Sequence, residues 1–507
     1  MGLLLGEIVR RHARHRPERT AYVIGPHRIT YRQLNELTNR LAHVLRGHGV
    51  GRGDRVATLA LNRLEYPAIY FALAKLGAIH VPLNFRYRAG ELRYALTQSE
   101  SSVLFYAGAF AGVVEELGDT VPALRHRIHL DGARGLPDLL SRASDAEPEP
   151  ERELGEHDPH VMLYTSGTTG DPKGALLSHR SYVLQAFQTQ RTTGLGEDDI
   201  GLCMFPMFHM GGWAMPLGYW ANGGSVVLLE QADPGEILRT IEREGVTYLY
   251  LIPTLYDAVL SLTDFARTDL SSLRALGSGT AVMTEAQIRT IMDRFRNRRL
   301  FIMYGQTEAG PVATLHPRDV ERKPTSVGRP ALNVDVRVVD TDDGDARIGA
   351  TGEIICRSEY NMLGYWHLPE ATAETLRGGW VHTGDLATLD DEGFLHIAGR
   401  VKEMIKCGGE NIFPAEVERC LLAHPTIAEA AVFGVPDPHW GEVVVAAVVQ
   451  RNGGALTEAE VIEHVRSRLA GYKKPRAVHF VDALPRTGST RQVQKTLLRE
   501  EWMSTRR

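Results

Sequence analysis

Residues 165–174 read Thr-Ser-Gly-Thr-Thr-Gly-Asp-Pro-Lys-Gly, and they follow an apolar run, Val161–Tyr164, typical of a buried strand. Glycines allow the backbone to turn with positive φ and to bring N–H groups close to an anion. The hydroxyl groups add hydrogen-bond donors, and Lys173 adds a mobile positive charge. The stretch therefore predicts a strand that leads into a polyphosphate-binding loop. It is not the Walker pattern, because glycine and not Ser or Thr follows Lys173.

The same alternation of strand and helix extends outward from this loop. Short, nearly all-apolar, β-rich runs are typical of strands that are buried on both faces of a sheet. The predicted strands are Val56–Leu61, Val103–Tyr106, Ser225–Leu229 and Tyr248–Ile252, and the predicted helices between them include Tyr31–Arg46 and Pro234–Arg243. This order predicts an α/β fold with stacked, mainly parallel sheets.

The length of the chain predicts more than one domain, because 507 residues exceed the size at which a single core keeps growing. A run rich in Glu and Pro within residues 144–159 predicts an exposed linker before a new unit. Alternating short strands begin near Val334, and a boundary is expected near Gly399-Arg400. We therefore predict a large N-terminal domain, residues 1–399, and a smaller mobile α+β domain, residues 400–507.

Composition limits the class of protein. The chain is 43% hydrophobic and 23% charged, with a net charge of −5, which does not fit a nucleic-acid-binding polycation or a disordered acidic chain. The four cysteines are scattered without a CxxC pair, so a structural zinc site or a disulfide framework is not expected. The amino-terminal residues, with arginines after a short apolar run, predict an amphipathic helix and not a signal peptide. A reducing cytoplasm is the expected compartment.

The segment Ile200–Leu229 contains no Asp, Glu, Lys or Arg and is long enough to span a bilayer. Pro206, Pro216 and six glycines interrupt it, and His209 lies within it. We therefore predict a buried strand–loop–strand and no membrane span.

The loop at residues 165–174 resembles the phosphate-loop signature of the adenylate-forming superfamily, which includes acyl- and aryl-CoA synthetases, beetle luciferases and peptide-synthetase adenylation domains. Further motifs of that family follow in its order over nearly the whole chain. The resemblance implies that the ATP phosphates contact Thr165, Ser166, Gly167, Thr168, Thr169, Gly170 and Lys173.

Residues 304–308, Tyr-Gly-Gln-Thr-Glu, resemble the second signature of the family. The resemblance implies that Tyr304 stacks on adenine, with Gly305 and Gln306 beside it, that Thr307 bonds the α-phosphate and that Glu308 holds Mg²⁺. A hard carboxylate oxygen suits Mg²⁺. Residues 277–281 resemble the adenine-side loop, which assigns Gly279, Thr280 and Ala281 to the nucleotide. Thr280 and Val282 depart from the commoner Gly-Gly-Ala-Pro form at its second and fourth positions, a difference that concerns the shape of the acyl pocket and not nucleotide binding.

Two further motifs concern the binding of the ribose and the rotation of the C-terminal domain, which in this family occurs between the two half-reactions, adenylate formation and thioester formation. Trp-Val-His-Thr-Gly-Asp at 380–385 resembles the motif whose aspartate, here Asp385, binds both ribose hydroxyls, and Arg400 is similar to the arginine that assists it. One carboxylate can accept two hydrogen bonds from a cis-diol. Lys402 stands at the family's hinge position.

Two other resemblances assign residues to the site of the acceptor, CoA, and to the pocket of the acid. Residues 406–410, Lys-Cys-Gly-Gly-Glu, look like the loop that lines a pantetheine tunnel, so that Lys406, Gly408 and Gly409 would contact CoA. Residues 206–213 resemble the acid-pocket motif of acyl-CoA synthetases, which places His209 between the acid and the CoA sites. Trp213 is expected in the pocket wall, and a place in the core is the alternative.

The chain departs from the family near its C-terminus. Relatives read Pro-Arg-Thr-x-Ser/Thr-Gly-Lys-Ile-x-Lys, whereas residues 485–495 read Pro-Arg-Thr-Gly-Ser-Thr-Arg-Gln-Val-Gln-Lys, without Gly-Lys. Counted from Pro485, Arg491 stands at the position of the catalytic lysine; counted back from Lys495, the segment has one extra residue. A cation at this position allows the carboxylate of the acid to approach the α-phosphate, because the repulsion between two negative charges 4 Å apart is about 4 kcal/mol at a surface-like dielectric. Arg491 is the predicted cation, and Lys495 is the alternative.

The sequence thus predicts an enzyme that uses ATP and Mg²⁺ to activate a fatty or aryl carboxylic acid and then transfers it to CoA. Activation of an α-amino acid is not expected, because residues 200–229 contain no carboxylate to pair an ammonium group. A luciferase-like oxygenase rests on analogy of fold alone. The missing Gly-Lys leaves open a nitrite-activating diazotase acting on an aryl amine, or a nucleotide-binding relative without catalysis.

Overall fold

A computed structural model describes residues 3–132, 135–149, 154–165, 171–281, 283–407, 410–451, 456–486 and 493–505. Its α-helices are α1 Gly6–His15, α2 Tyr31–Gly47, α3 Tyr66–Leu76, α4 Ala89–Gln98, α5 Ala111–Glu115, α6 Leu136–Arg142, α7 His179–Thr193, α8 Met210–Ala221, α9 Pro234–Glu244, α10 Pro253–Leu260, α11 Glu285–Arg294, α12 Pro317–Val320, α13 Pro369–Thr375, α14 Pro414–Leu422, α15 Glu458–Arg466 and α16 Lys495–Ser504. Helix starts follow local chemistry; Thr30, for example, caps α2 by accepting a hydrogen bond from the backbone N–H of Gln33.

Two large sheets form the N-terminal region. The strands of the first are β1 Thr20–Ile24, β2 His27–Thr30, β9 Ile200–Cys203, β10 Ser225–Leu228, β11 Tyr248–Tyr250, β12 Ala275–Gly279, β13 Leu300–Gln306, β14 Gly310–Leu315 and β15 Arg329–Pro330. The strands of the second are β3 Arg55–Leu59, β4 Ile79–Pro82, β5 Val103–Tyr106, β6 His126–His129, β7 Pro159–Thr165, β8 Lys173–Ser178 and β18 Gly364–Tyr365.

The order of the first sheet is β15-β14-β13-β12-β11-β9-β10-β1-β2, and that of the second is β18-β8-β7-β4-β3-β5-β6. The inner strands of both sheets pair in parallel. Antiparallel strands close both edges of the first sheet and the β18 edge of the second, whereas β6 pairs in parallel with β5 at the other edge. One continuous core joins residues of both sheets through α2, α3, α7 and α8. The predicted α/β class with stacked, mainly parallel sheets is confirmed.

Smaller sheets follow along the chain. The third sheet has the order β16-β17-β19-β20 and is antiparallel, with β16 Val334–Val339, β17 Thr351–Ser358, β19 Val381–Leu389 and β20 Leu395–Arg400. The fourth lies in the C-terminal region and has the strands β21 Ile405–Cys407, β22 Glu410–Ile412, β23 Ile427–Asp437, β24 Gly441–Gln450 and β25 Ala477–Phe480. Helices α14 and α15 cover one face of the fourth sheet through a shared core, and α16 packs on the other face.

Two expectations about the chain were wrong. The segment 200–229 is not strand–loop–strand but strand–helix–strand, because α8 forms between β9 and β10 in spite of Pro216 inside the helix. The buried residues of α8 share a core with those of α7. This packing outweighs the loss of the backbone hydrogen bond that Pro216 cannot donate, because proline has no N–H. The region 144–159 does not precede a new unit, because β7 pairs with β4 in the same sheet. Glu147 is tied to Lys75 by an ion pair of 2.6 Å.

The predicted amphipathic first helix corresponds to α1. Within the described residues no helix combines the length and the apolar character needed to cross a membrane.

Candidate active site

The phosphate end of the site lies where β7 meets β8. Thr165, the last residue of β7, faces Lys173, the first of β8, in an antiparallel pair of strands. The Thr165 hydroxyl donates to Oε1 of Glu308 at 2.9 Å, and the Tyr365 hydroxyl donates to the same oxygen at 2.9 Å. Lys173 places its Nζ 5.2 Å from the centre of the Tyr365 ring. The predicted Thr165, Lys173 and Glu308 are therefore grouped around Tyr365.

Glu308 fits the role of a metal ligand. Its Oε1 is oriented by two hydroxyl donors, and among the described residues no donor lies on Oε2. Mg²⁺ prefers hard oxygen ligands and takes only one or two carboxylates beside substrate phosphates and water. Glu308 would thus hold Mg²⁺, which neutralises phosphate charge when it is bound.

The ribose end is built on β19 and β20, whose residues Asp385 and Arg400 are partners in the ladder. Nε of Arg400 donates to Oδ1 of Asp385 at 3.1 Å, and the Tyr304 hydroxyl donates to Oδ2 at 2.7 Å. Burial raises the pKa of the Asp385 carboxyl, while Arg400 and Tyr304 oppose that rise. Burial, followed by the Asp385 charge, raises the pKa of Tyr304. A carboxylate held in this way can accept hydrogen bonds from a diol.

The strand β13 and the turn after it connect the two ends. Tyr304 lies on β13, and Thr307 and Glu308 lie in the turn to β14. A Cβ at Gly305 would collide with the carbonyl of Gly310, so only glycine allows this hairpin to close. On the adjoining strand Gly279 is the register partner of Met303. Predicted adenine-side residues thus stand beside Tyr304.

Thr280 has a φ of 68°, in the left-handed region that a β-branched residue rarely adopts. It follows directly on Gly279, the last residue of β12, and is exposed. The family's glycine at this position would adopt the same backbone without cost. Backbone strain of this kind is typical of functional sites.

A pair of aromatic side chains lies beside Gly279, at the carboxyl ends of β9, β11 and β12. The Phe205 and Tyr250 rings are 5.7 Å apart, edge to face, and the Tyr250 hydroxyl lies against the backbone of Gly279. Phe205, Tyr250 and Met303 are only partly buried. Ligands of open α/β sheets bind at this edge. The arrangement can therefore hold an apolar or aromatic group next to the nucleotide.

His209 is the N-cap residue of α8, and Gly211 in the first turn of this helix lies against the Phe205 ring. Its ring is 4.3 Å from that of Phe208, and its Nε2 is buried without a partner among the described residues. Burial, assisted by the Arg86 charge, lowers the pKa of His209 to about 4. The imidazole is therefore neutral at pH 7 and has a nitrogen free to meet a ligand.

Trp213 does not form the pocket wall that was predicted. The side chain is fully buried, stacks on Tyr70 at 4.0 Å, and donates its indole N–H to the carbonyl of Met207. It belongs to the core between the sheets.

The predicted acceptor loop lies at the edge of the fourth sheet. Cys407 is the register partner of Gly441, and the backbone N–H of Lys406 donates to Oε2 of Glu442 at 3.0 Å. Trp440 is 39% exposed beside this edge, and the Arg476 guanidinium lies 5.2 Å from the centre of its ring. Gly408 and Gly409 lie outside the described residues.

Lys402 lies in a 3-10 turn, Val401–Glu403, directly after β20. Burial lowers its pKa, and the Arg400 charge adds to that effect. Ser166, Gly167, Thr168, Thr169, Gly170 and Arg491 lie outside the described residues, so the predictions for them stay predictions. The alternative cation, Lys495, places its ammonium 2.8 Å from Glu403 and 2.8 Å from Glu418.

Sequence reasoning did not find Tyr365, Tyr250 or Phe205. The signal for Tyr365 is weak, because it stands on the two-residue strand β18, far along the chain from β8, with which it pairs. Tyr250 and Phe205 could have been found from apolar sequence, since Tyr250 ends β11 and Phe205 follows β9 at the ligand-binding edge.

Comparison with known proteins agrees with this geometry. The family model described as "AMP-binding enzyme" matches residues 9–366, and the model of its C-terminal domain matches residues 416–491. The chain belongs to the AMP-binding enzyme family. Like other AMP-binding enzymes it has a smaller C-terminal domain, and its predicted membership of the adenylate-forming superfamily is confirmed.

Relatives of this AMP-binding enzyme match it nearly end to end. A feruloyl-CoA synthase from Amycolatopsis sp is 41% identical over 96% of each chain, and an indoleacetate–CoA ligase from Aromatoleum aromaticum is 38% identical over 95% of each. The crystal structure of ATP-bound MatB from Rhodopseudomonas palustris superimposes with a TM-score of 0.92 at 30% identity over 100% of both chains. The predicted type of enzyme, an AMP-forming acid–CoA ligase, is confirmed.

Proposed function

We propose that this enzyme converts an aromatic carboxylic acid into its acyl-adenylate with ATP and Mg²⁺, releases pyrophosphate, and transfers the acyl group to the thiol of CoA. The observation that carries the proposal is the joining of three subsites by one strand. β13 leads from Met303, the register partner of Gly279, to Tyr304 at the Asp385–Arg400 pair, and the turn after β13 places Glu308 at the phosphate end.

The first step is a displacement at phosphorus. A carboxylate oxygen of the acid attacks the α-phosphorus, the bond to the bridging oxygen breaks, and pyrophosphate leaves with its electron pair. Catalysis of such a step is mainly positioning and neutralisation of charge. Glu308 with its metal, Lys173 and Thr307 would serve the phosphates, while Asp385 and Tyr304 would fix the nucleoside. Arg491 would supply the remaining cation.

In the second step the CoA sulfur attacks the acyl carbon, and AMP leaves with the mixed-anhydride oxygen. As the carbon–sulfur bond forms, the thiol loses its proton to solvent water. The neutral His209 can accept a hydrogen bond between the acid pocket and the acceptor side. Trp440 with Arg476 offers an exposed aromatic face and a positive charge, which suit the adenine and phosphates of CoA. Lys406 with the glycines after it would flank the pantetheine arm.

The character of the pocket supports an aromatic acid. Phe205, Tyr250 and Met303 provide rings and a thioether, and none of them bears a charge. Aromatic pairs of this geometry favour a flat ring in contact with them. Ferulate and indoleacetate, the acids in the names of the two relatives, are both aromatic. These names refer to carboxylic acids, so nothing favours nitrite activation or a role without catalysis.

The test is a panel of acids with the purified enzyme, ATP, Mg²⁺ and CoA. We expect ferulic and indoleacetic acids to release pyrophosphate and to give their CoA thioesters faster than decanoic acid. Glu308→Gln should lower both products by about 10²–10³-fold, as for one placed charge. Glu359→Gln is the matched control, since Glu359 is 60% exposed and, among the described residues, forms its ion pair with Arg180. Formation of ADP and phosphate, or faster turnover of decanoic acid, would contradict the proposal.

The scattered free cysteines, Cys203, Cys356, Cys407 and Cys420, support a reducing compartment. We infer the cytoplasm as the site of action.

A further inference from the structure

Lys495, the first residue of α16, lies between two carboxylates of different elements. Its Nζ is 2.8 Å from Oε2 of Glu403, which ends the 3-10 turn after β20, and 2.8 Å from Oε1 of Glu418 on α14. Glu403 directly follows the predicted hinge residue Lys402. One ammonium thus connects the hinge with two helices of the C-terminal domain.

The group is partly shielded from water. The exposed fractions of the side chains are 18% for Lys495, 32% for Glu403 and 19% for Glu418. Burial by itself would lower the pKa of Lys495, but the carboxylates of Glu418 and Glu403 outweigh it, and the pKa is raised. Glu418 also accepts the backbone N–H of Val432 at 2.8 Å, so its position is fixed to β23. Removal of the ammonium would leave two like charges facing each other.

Contacts beside Lys495 fix the chain on both sides of residues 487–492. Arg486 and Val493 form an antiparallel bridge, and the backbone N–H of Gln494 donates to the carbonyl of Pro485 at 2.8 Å. Arg486 also pairs with Glu429 on β23 at 2.6 Å. The flanks of the segment that contains Arg491 are therefore attached to the C-terminal sheet and, through Lys495, to the hinge.

The arrangement of the domains seen here is that of a nucleotide-bound relative. A TM-score of 0.92 over 100% of both chains with ATP-bound MatB includes the C-terminal domain. The three-residue group is formed in this arrangement.

We propose that Lys495 is a positioning residue for adenylate formation: by coupling Glu403, the residue after the hinge, to α14 and α16, it fixes the C-terminal end of the hinge to the body of the C-terminal domain and so confines the domain's rotation during the first half-reaction. It does so through the two carboxylates and not as the cation at the α-phosphate. The proposal rests on the two-step reaction proposed above.

The experiment compares the two half-reactions in matched variants. Lys495→Met should slow adenylate formation by about 10–100-fold, the cost of a small misplacement, while thioester formation from pre-made acyl-adenylate stays near wild type. Lys495→Arg should restore most of the adenylation rate. The double variant Glu403→Gln/Glu418→Gln should be slow in the same half-reaction, and adding Lys495→Met to it should cost little more.

Lys473→Met is the control for a lost ion pair. Lys473 is also 18% exposed and lies 2.8 Å from a carboxylate of α14, that of Glu416, but it does not contact the hinge. Its adenylation rate should stay at the wild-type level. An equal loss in Lys473→Met would overturn the proposal, as would an equal loss of both half-reactions in Lys495→Met. Wild-type adenylation in the double glutamine variant would identify Lys495 as a direct cation and would also overturn it.

A second measurement, limited proteolysis with trypsin, requires no acid substrate. Trypsin cleaves after Arg400 and Lys402, so the rate of cleavage at the hinge with ATP and Mg²⁺ present reports how firmly the domain is held. Lys495→Met should speed this cleavage several-fold and Lys473→Met should not. If no acid were activated, the proposed function would fail while this comparison still decided the role of Lys495; equal cleavage in wild type and Lys495→Met would overturn it.

Discussion

At the scale of single residues, Thr280 combines a β-branched side chain with a φ of 68°. A non-glycine residue in this region costs about 1–3 kcal/mol. Thr280→Gly should therefore raise the free energy of unfolding by about 1 kcal/mol, after the entropy that glycine adds to the unfolded chain is subtracted. Thr280→Ala keeps the Cβ and should give no such gain. Urea denaturation of the three proteins checks this, and equal stabilities of the glycine and alanine variants would contradict it.

Arg491 is predicted to be the cation of the first half-reaction. Arg491→Ala should slow adenylate formation by about 10²–10³-fold, while thioester formation from pre-made acyl-adenylate is preserved. Arg499→Ala is a suitable control, because Arg499 is a 42% exposed arginine of α16. Single-turnover measurement of the two half-reactions distinguishes the variants. A wild-type adenylation rate in Arg491→Ala would eliminate this role.

At the scale of elements, the 3-10 turn Val401–Glu403 is the predicted hinge. The φ of a 3-10 turn is one that proline adopts, so Lys402→Pro should preserve the arrangement seen here and resist rotation out of it. Adenylate formation should then be spared, and thioester formation should fall by at least about tenfold. Loss of both half-reactions to the same extent would argue against alternation of the domain.

The elements also show what sequence could and could not predict. Parallel strands that consist of short, nearly all-apolar runs were predictable from the sequence. Strand β5, for example, has the predicted bounds, Val103–Tyr106. Helix α8 was not, because its glycines and Pro216 contradict local helix propensity and only packing between two sheets stabilises it. Glu308, Asp385 and Lys173 each lie within a short sequence motif of the family, so each could be assigned from its own motif alone. Tyr365 and the Lys495 group depend on pairings between distant segments, which no local pattern records.

At the scale of the whole molecule, histidines buried between the sheets link stability to pH. Burial lowers the pKa of His80 to about 3 and that of His179 to about 4, and it also lowers the pKa of His160, which stacks on His179 at 4.9 Å. These groups are neutral in the folded protein, whereas in the unfolded chain they bind protons below about pH 6.5. Their contribution to stability is therefore complete above pH 6.5 and is lost as the pH falls toward 4.

With three such histidines, the free energy of unfolding should fall by up to about 4 kcal/mol for each unit by which the pH drops below 6. Thermal unfolding measured from pH 7.5 to 5 should show a steep fall. His80→Gln should make the slope shallower, and His157→Gln, at a side chain that is 73% exposed, should leave it unchanged. A stability that does not vary between pH 7 and 5 would contradict this account.

The central claim is that the acid's own oxygen becomes bonded to the α-phosphorus of ATP. The most direct measurement uses ferulic acid labelled with ¹⁸O in its carboxyl group, together with ATP, Mg²⁺, CoA and the enzyme, followed by mass spectrometry of the nucleotide product. The account predicts AMP that carries one ¹⁸O atom per turnover, with feruloyl-CoA formed in equal amount. Unlabelled AMP, or ADP as the product, would contradict it.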